Sequence, residues 1–171
     1  GAKGDNGSAF TVEAVQNDVF YQHWGNHYPW TTDVVTELPE SLSVCQYSEE
    51  GKTHTIKKAE TKINALGGDM TVSFTYVAGG HMLMIAGVDL IKDGNIVKKD
   101  YHEGKAGGQH SGHKYTLSDV EAGEYTLRYF VCEKTSGQNS HSLNSTQGII
   151  KVTGATLPNI DVTYKYTLEG K

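Results

Sequence analysis

Residues Met70–Gly104 read MTVSFTYVAGGHMLMIAGVDLIKDGNIVKKDYHEG, and this stretch decides the fold class. Met70, Val72, Phe74 and Tyr76 alternate with Thr71, Ser73 and Thr75. That period of two belongs to a strand with one dry and one wet face. Gly79 and Gly80 interrupt the pattern, and an apolar run from Met82 to Ile91 follows. The run stops at Asp93-Gly94-Asn95, flanked by Leu90-Ile91 and Ile96-Val97. An Asp-Gly pair between apolar, β-branched flanks predicts a hairpin, because the tight turn needs positive φ. The stretch therefore supplies about three antiparallel strands, and the rest of the chain must give them a surface to pack on.

Toward the N-terminus, Gly67-Gly68-Asp69 precedes the stretch, and His54–Ile63 reads as a strand left mostly exposed by Lys57, Lys58, Glu60 and Lys62. A turn at Glu49–Lys52 separates it from a strand over Ser41–Tyr47; Thr31–Leu38 is a strand or a helical turn ended by Pro39. Phe20–Trp30, FYQHWGNHYPW, has no clean period and reads as a long ordered loop or a short edge strand. Phe10, Val12 and Ala14 mark a short first strand, and residues 1–9, small, polar and Gly-rich, read as a disordered or appended terminus.

Toward the C-terminus, Lys105–Gly112 is a polar Gly-rich loop, Lys114–Leu117 a short strand and Ser118–Gly123 a turn. In EYTLRYFVCE (Glu124–Glu133) both alternating faces are partly apolar, which predicts a central strand. Lys134–Ser145 is a polar loop, and Gly148–Thr153 and Ile160–Leu168 are the last strands. No segment carries a helical apolar stripe. Many short strands separated by turn signals predict an all-β fold, an antiparallel β-sandwich of jelly-roll or immunoglobulin-like type, with residues 10–171 as one domain.

Composition narrows the function classes. The 171 residues carry a net charge of -5, and no basic run exceeds two residues, which argues against nucleic acid or an anionic membrane as partner. No apolar stretch approaches the length that spans a bilayer, so membrane insertion is not expected. Two cysteines, Cys45 and Cys132, each fall in an expected strand and read as separate buried thiols, with a single bridge as the alternative.

The run from about Asp69 to Cys132 resembles a β-sandwich accessory module appended to secreted bacterial glycan-degrading enzymes such as sialidases and hexosaminidases. The resemblance rests on the TVSFTY strand, Gly87-Val88-Asp89-Leu90, the Asp-Gly-Asn turn, Asp100-Tyr101-His102 with Gly104, Gly107-Gly108, Tyr115-Thr116-Leu117 and Ala122–Arg128 (AGEYTLR). It implies a non-catalytic, carbohydrate-binding or structural module, secreted or at the cell surface, whose partners are a glycan and an associated glycoside hydrolase.

Candidate ligand-binding residues follow from sugar chemistry: aromatic faces stack on the apolar side of a pyranose, and polar side chains fix its hydroxyls. Tyr21, His23, Trp24, His27, Tyr28 and Trp30 have that chemistry, with Asn26 among them. The alternative is that the tryptophans plug an open end of the sandwich. Tyr101 and His102 form a second candidate site, with Asp100 serving either the site or backbone N–H groups at a strand end. His102, His110 and His113, with Asp100 or Glu103, have the residue types of a zinc site, but loop spacing does not make them converge, and neither a metal nor another cofactor is expected. No catalytic residues are assigned: Glu49/Glu50 and Asp100/Glu103 are near neighbours on loops, and Ser140-His141 lacks the strand-turn-helix setting of a nucleophile. The expected function is carbohydrate binding without catalysis. The alternative is a structural or protein-interaction sandwich with no glycan ligand.

Overall fold

The computed structural model describes residues 29–36, 38–40, 56–78, 83–107, 110–132, 135–136, 139–140 and 147–158. Its elements, in chain order, are β1 (Thr31–Val35), β2 (Ile56–Ala65), β3 (Gly68–Ala78), β4 (Leu83–Lys92), β5 (Asn95–Ala106), β6 (Gly112–Val120), β7 (Gly123–Cys132), β8 (Thr135–Ser136), β9 (Asn139–Ser140), β10 (Gln147–Thr153) and β11 (Ala155–Thr156). One sheet runs β1-β2-β7-β4-β5 with β11 also on β2, and a second runs β10-β3-β6. Every described pairing between these strands is antiparallel. The architecture is an all-β sandwich.

The hairpin expectation holds in detail. Lys92 pairs with Asn95, and Asp93 and Gly94 both have positive φ, at 51° and 80°, as a two-residue turn of this hand requires. The alternating stretch before it goes elsewhere. β3 leaves its sequence neighbour and pairs with β10 and β6, so the two halves of Met70–Gly104 lie in opposite sheets. They meet through their dry faces. Met70, Val72 and Phe74 of β3, Tyr115 and Leu117 of β6, and Ile150 and Val152 of β10 face Ile63, Leu127, Tyr129, Val88 and Leu90 of the other sheet in one buried cluster. Phe74 fixes the centre, edge-on to Tyr115 at 5.8 Å and to Tyr129 at 5.3 Å.

Several boundaries differ from the sequence reading. β2 is an interior strand between β1 and β7, with Ala59, Thr61, Ile63 and Ala65 buried on its inner face. Lys58, Glu60 and Lys62 take the alternate, outer positions, and Lys57 on the inner parity is itself partly buried, so counting charge overstated the exposure of the strand. The Gly-rich segment is partly strand, because Lys105 and Ala106 extend β5 and Gly112 opens β6, and Gly107 and His110 bond each other's backbone. β6 is longer than Lys114–Leu117, and the polar segment after β7 contains the β8–β9 pair. Thr31–Val35 is strand rather than helical turn, and β7 is central as expected. The expected strands at Phe10–Ala14, Ser41–Tyr47 and Ile160–Leu168, together with Cys45, lie outside the described residues.

Candidate functional site

The outer face of the large sheet carries a row of charge. Cross-strand register sets Glu60 of β2 beside Arg128 of β7, Arg128 beside Asp89 of β4, and Asp89 beside Lys99 of β5. Asp89 is fully buried; its Oδ1 accepts from Arg128 Nε at 2.9 Å and its Oδ2 from Arg128 Nη2 at 2.7 Å. The Tyr101 hydroxyl also donates to Asp89 Oδ2. Gly87 makes room for this arrangement: at φ 150°, a Cβ there would lie 2.7 Å from Asp100 O and from Tyr101 Cδ1. Burial first, and then the bond to Asp89, push the Tyr101 hydroxyl pKa well above its ordinary value. Burial pulls the Arg128 guanidinium down, but the bonds and charge of Asp89 outweigh it and the net shift is upward. The triad is therefore a buried ion pair with its lone pairs occupied, which fixes three strands to one another.

Residues 38–40 lie over this face. Leu38 packs with Val35 and Met84 on a small apolar cluster of Ile56, Ala86 and Phe130, and Glu40 pairs with Lys99. A cleft of about 450 Å³ opens beside them, lined by Pro39, Glu40, Ile96, Val97, Lys98, Lys99 and Tyr101.

A larger groove of about 610 Å³ lies across β2, lined by Pro29, Thr31, Glu60, Thr61, Lys62, Glu124, Thr126, Leu157 and Pro158. Its origin is topological. β1 pairs with β2 only as far as Glu60, and β11 pairs with the same edge only at Asn64 and Ala65. Between them, Thr61–Ile63 has no described strand partner on that edge, and the gap forms the groove. Glu60, Lys62 and Thr31 line one flank, and Glu124 and Thr126 on β7 line the other. The floor is therefore a sheet surface with carboxylate, ammonium and hydroxyl groups at strand spacing.

A third cluster closes the seam where edge strand β5 meets edge strand β6. Asp100 Oδ2 accepts the Thr116 N–H at 3.0 Å, while its Oδ1 lies 2.8 Å from His102 Nδ1. His102 Nε2 lies 2.7 Å from His113 Nε2. The Tyr115 hydroxyl donates to the His102 carbonyl at 2.8 Å, and the two imidazoles rest against its ring at 4.3 and 4.9 Å. Gly104 permits this contact, since a Cβ there would stand 2.5 Å from both His113 Cδ2 and Tyr115 Oη. Burial, and then the neighbouring His102, hold the His113 pKa below the usual imidazole value, against the opposing pull of Asp100. Burial also raises the Tyr115 hydroxyl, with Asp100 and Glu103 adding to the shift.

Tyr21, His23, Trp24, His27 and Tyr28 lie outside the described residues. Trp30 is corrected as a stacking platform: it is 3% exposed, set in the core edge-on to Tyr129 at 4.8 Å. Its large apolar ring is accommodated between the sheets, while Trp24, the other tryptophan of the plug alternative, lies outside the described residues. Tyr101 and His102 do not line the groove, and they diverge: Tyr101 faces the outer cleft and His102 the seam. Asp100 does accept a backbone N–H, though from β6 rather than its own strand. Of the three histidines, His102 and His113 meet, while exposed His110 engages Gly107 through its backbone. Sequence reasoning missed the Asp89–Arg128–Tyr101 triad and the groove. An Asp in the middle of the apolar run Met82–Ile91 was the available signal for the triad, because a buried carboxylate demands a partner.

No family model matches the chain, and comparison with curated proteins finds no match. Among solved structures, it is similar to TmCBM61 in complex with β-1,4-galactotriose, at 13% identity and a TM-score of 0.38, over 75% of this chain and 87% of that one. It is also similar to a GH2 β-galacturonidase from Eisenbergiella tayi, at 12% identity and a TM-score of 0.37, over 80% of this chain. A third is the enzymatically active domain of tailspike protein 4 of bacteriophage CBA120, at 14% identity and a TM-score of 0.35, over 84% of this chain. The chain spans 24% of the length of the galacturonidase and 20% of that of the tailspike domain.

Proposed function

We propose that this chain is a non-catalytic carbohydrate-binding module of a secreted or surface-associated bacterial glycan-processing protein. The observation that carries the reading is the groove over the β2 gap. Glu60, Lys62, Glu124, Thr126 and Thr31 offer donors and acceptors on a sheet floor, which suits the array of hydroxyls on a sugar. Pro29 on its rim directly follows the aromatic segment Phe20–Tyr28, the source of stacking faces. In this reading Trp30 anchors that segment in the core, while Tyr21, Trp24 and Tyr28, with His23 and His27, supply contacts to the ring. Polar contacts at an open, wet surface give weak intrinsic affinity, which attachment to a hydrolase or repetition along a polymer raises. The resemblance to modules of sialidases and hexosaminidases belongs to this proposal.

The test is a glycan array on the purified chain, followed by titration of the best ligand. Glu60→Ala with Glu124→Ala should weaken binding at least tenfold while thermal stability stays close to that of the parent. Trp24→Ala should do the same. An array without specific ligands, or full affinity in both variants, overturns the reading.

A further inference from the structure

We propose that His102 and His113 form a two-imidazole site for a late first-row divalent cation, Cu2+ or Ni2+ foremost, which clips β5 to β6 across the open edge of the sandwich. This is independent of sugar recognition and lies away from the groove. Three features make the pair a ligand set rather than two surface histidines. The Nε2 atoms converge at 2.7 Å from different strands of different sheets. The Asp100 carboxylate occupies His102 Nδ1 at 2.8 Å, so that ring is held with Nε2 outward, the arrangement in which a carboxylate orients a metal-binding imidazole. The Tyr115 ring supports both imidazoles, at 4.3 Å and 4.9 Å, and its hydroxyl is itself bonded to the His102 carbonyl.

The spacing of the pair bears on the metal class. Metal–imidazole bonds of ~2.0–2.1 Å place two cis nitrogens ~2.9 Å apart at a right angle and ~3.3 Å apart at the tetrahedral angle. The hydrogen-bonded separation of 2.7 Å need open only slightly to reach the right-angle value, which square-planar or octahedral ions prefer. In the metal-free protein one Nε2 donates to the other; once the bridging proton leaves or moves to His113 Nδ1, a small rotation of the two rings turns both lone pairs to a shared ion. Among the described residues no group of three or more His, Cys, Asp or Glu side chains is placed to hold a metal. The protein therefore supplies two positions, and water the remainder. His102, whose side chain is 43% exposed, leaves the site open to solvent.

The experiment is calorimetric titration of the untagged full chain with Cu2+ and separately with Ni2+, alongside His102→Gln and His113→Gln. Copper electron paramagnetic resonance serves as a second readout. The expected result is one site of micromolar affinity, weakened at least tenfold in each variant. Nitrogen hyperfine structure from two imidazoles should become that of one in either variant. Circular dichroism of the metal-free variants checks that they fold; if one does not, the other carries the test, since each removes one of the two ligands. Absence of a site tighter than about 100 μM, or equal affinity in parent and folded variants, overturns the proposal.

Discussion

Arg128→Met is the most exacting test of the outer-face triad. The change keeps the length and apolar stem of the side chain but removes the guanidinium from a carboxylate with no solvent exposure. Asp89 then loses two charge-assisted bonds, at 2.9 and 2.7 Å, and keeps only the Tyr101 hydroxyl. Bonds to charged groups contribute ~1.5–3 kcal/mol each, which sums to ~3–6 kcal/mol. Removing one partner of a buried ion pair costs ~3–5 kcal/mol, so the two routes agree on about 4 kcal/mol. For a chain of this size that lowers Tm by roughly 8–16 °C, at about 2–4 °C per kcal/mol. The assay is urea unfolding at neutral pH followed by aromatic fluorescence, with a thermal scan beside it. The double variant Asp89→Leu/Arg128→Met is the decisive companion, because replacing both charges with apolar groups removes the desolvation cost with the attraction. It should recover at least half of the loss. A loss below about 1 kcal/mol in the single variant, or a double variant no better than the single, would refute the claim that an uncompensated buried charge is at stake.

Trp30→Ala should destabilise by about 3–5 kcal/mol, the cost of truncating a large core aromatic, and equilibrium unfolding measures it directly. A near-neutral result would return Trp30 to the candidate ligand surface. Gly104→Ala should cost about 1–3 kcal/mol through collision with His113 and Tyr115. The same substitution should shift the imidazole resonances of both histidines in NMR spectra, and unmoved resonances would count against the packing described. Gly94→Val places a β-branched residue at φ 80° and should cost about 1–2 kcal/mol or more, read as a lowered urea midpoint. Asp100→Ala should leave the Thr116 N–H without its acceptor and speed its hydrogen exchange, with exchange unchanged as the contrary result.

Much of the sheet content was legible because side-chain alternation is a local property. The dry faces of β3 and β7 and the Asp93-Gly94 turn follow from neighbours in sequence. The partner of β3 did not, since strand order depends on contacts such as Ile150 with Phe74, more than seventy residues apart. The exposure of β2 was misjudged for a related reason: Lys57, Lys58 and Lys62 advertise solvent, while the burying neighbours β1 and β7 come from elsewhere in the chain. For the candidate sites, residue type pointed to Tyr101, His102 and His113, but not to their separation onto two surfaces. That division follows from their alternate positions on β5, where Tyr101 turns outward and His102 toward β6. The groove had no sequence signature, because it arises where two strands stop short of each other on a third.

That stopping point has a topological consequence. Thr31 sits opposite Glu60 and Thr156 opposite Asn64, so the first and last described strands of the large sheet point end to end along one edge of β2 without touching. Three residues of β2, Thr61–Ile63, lie between them, ~13 Å over the four steps from Glu60 to Asn64 at the rise of an extended strand. The path from Thr31 to Thr156 is therefore nearly a closed circuit, and a joint of four or five residues would complete it. Cut instead at the exposed Asp93-Gly94 turn, the same ring of strands should still close on its core, with its new ends where β4 now turns into β5.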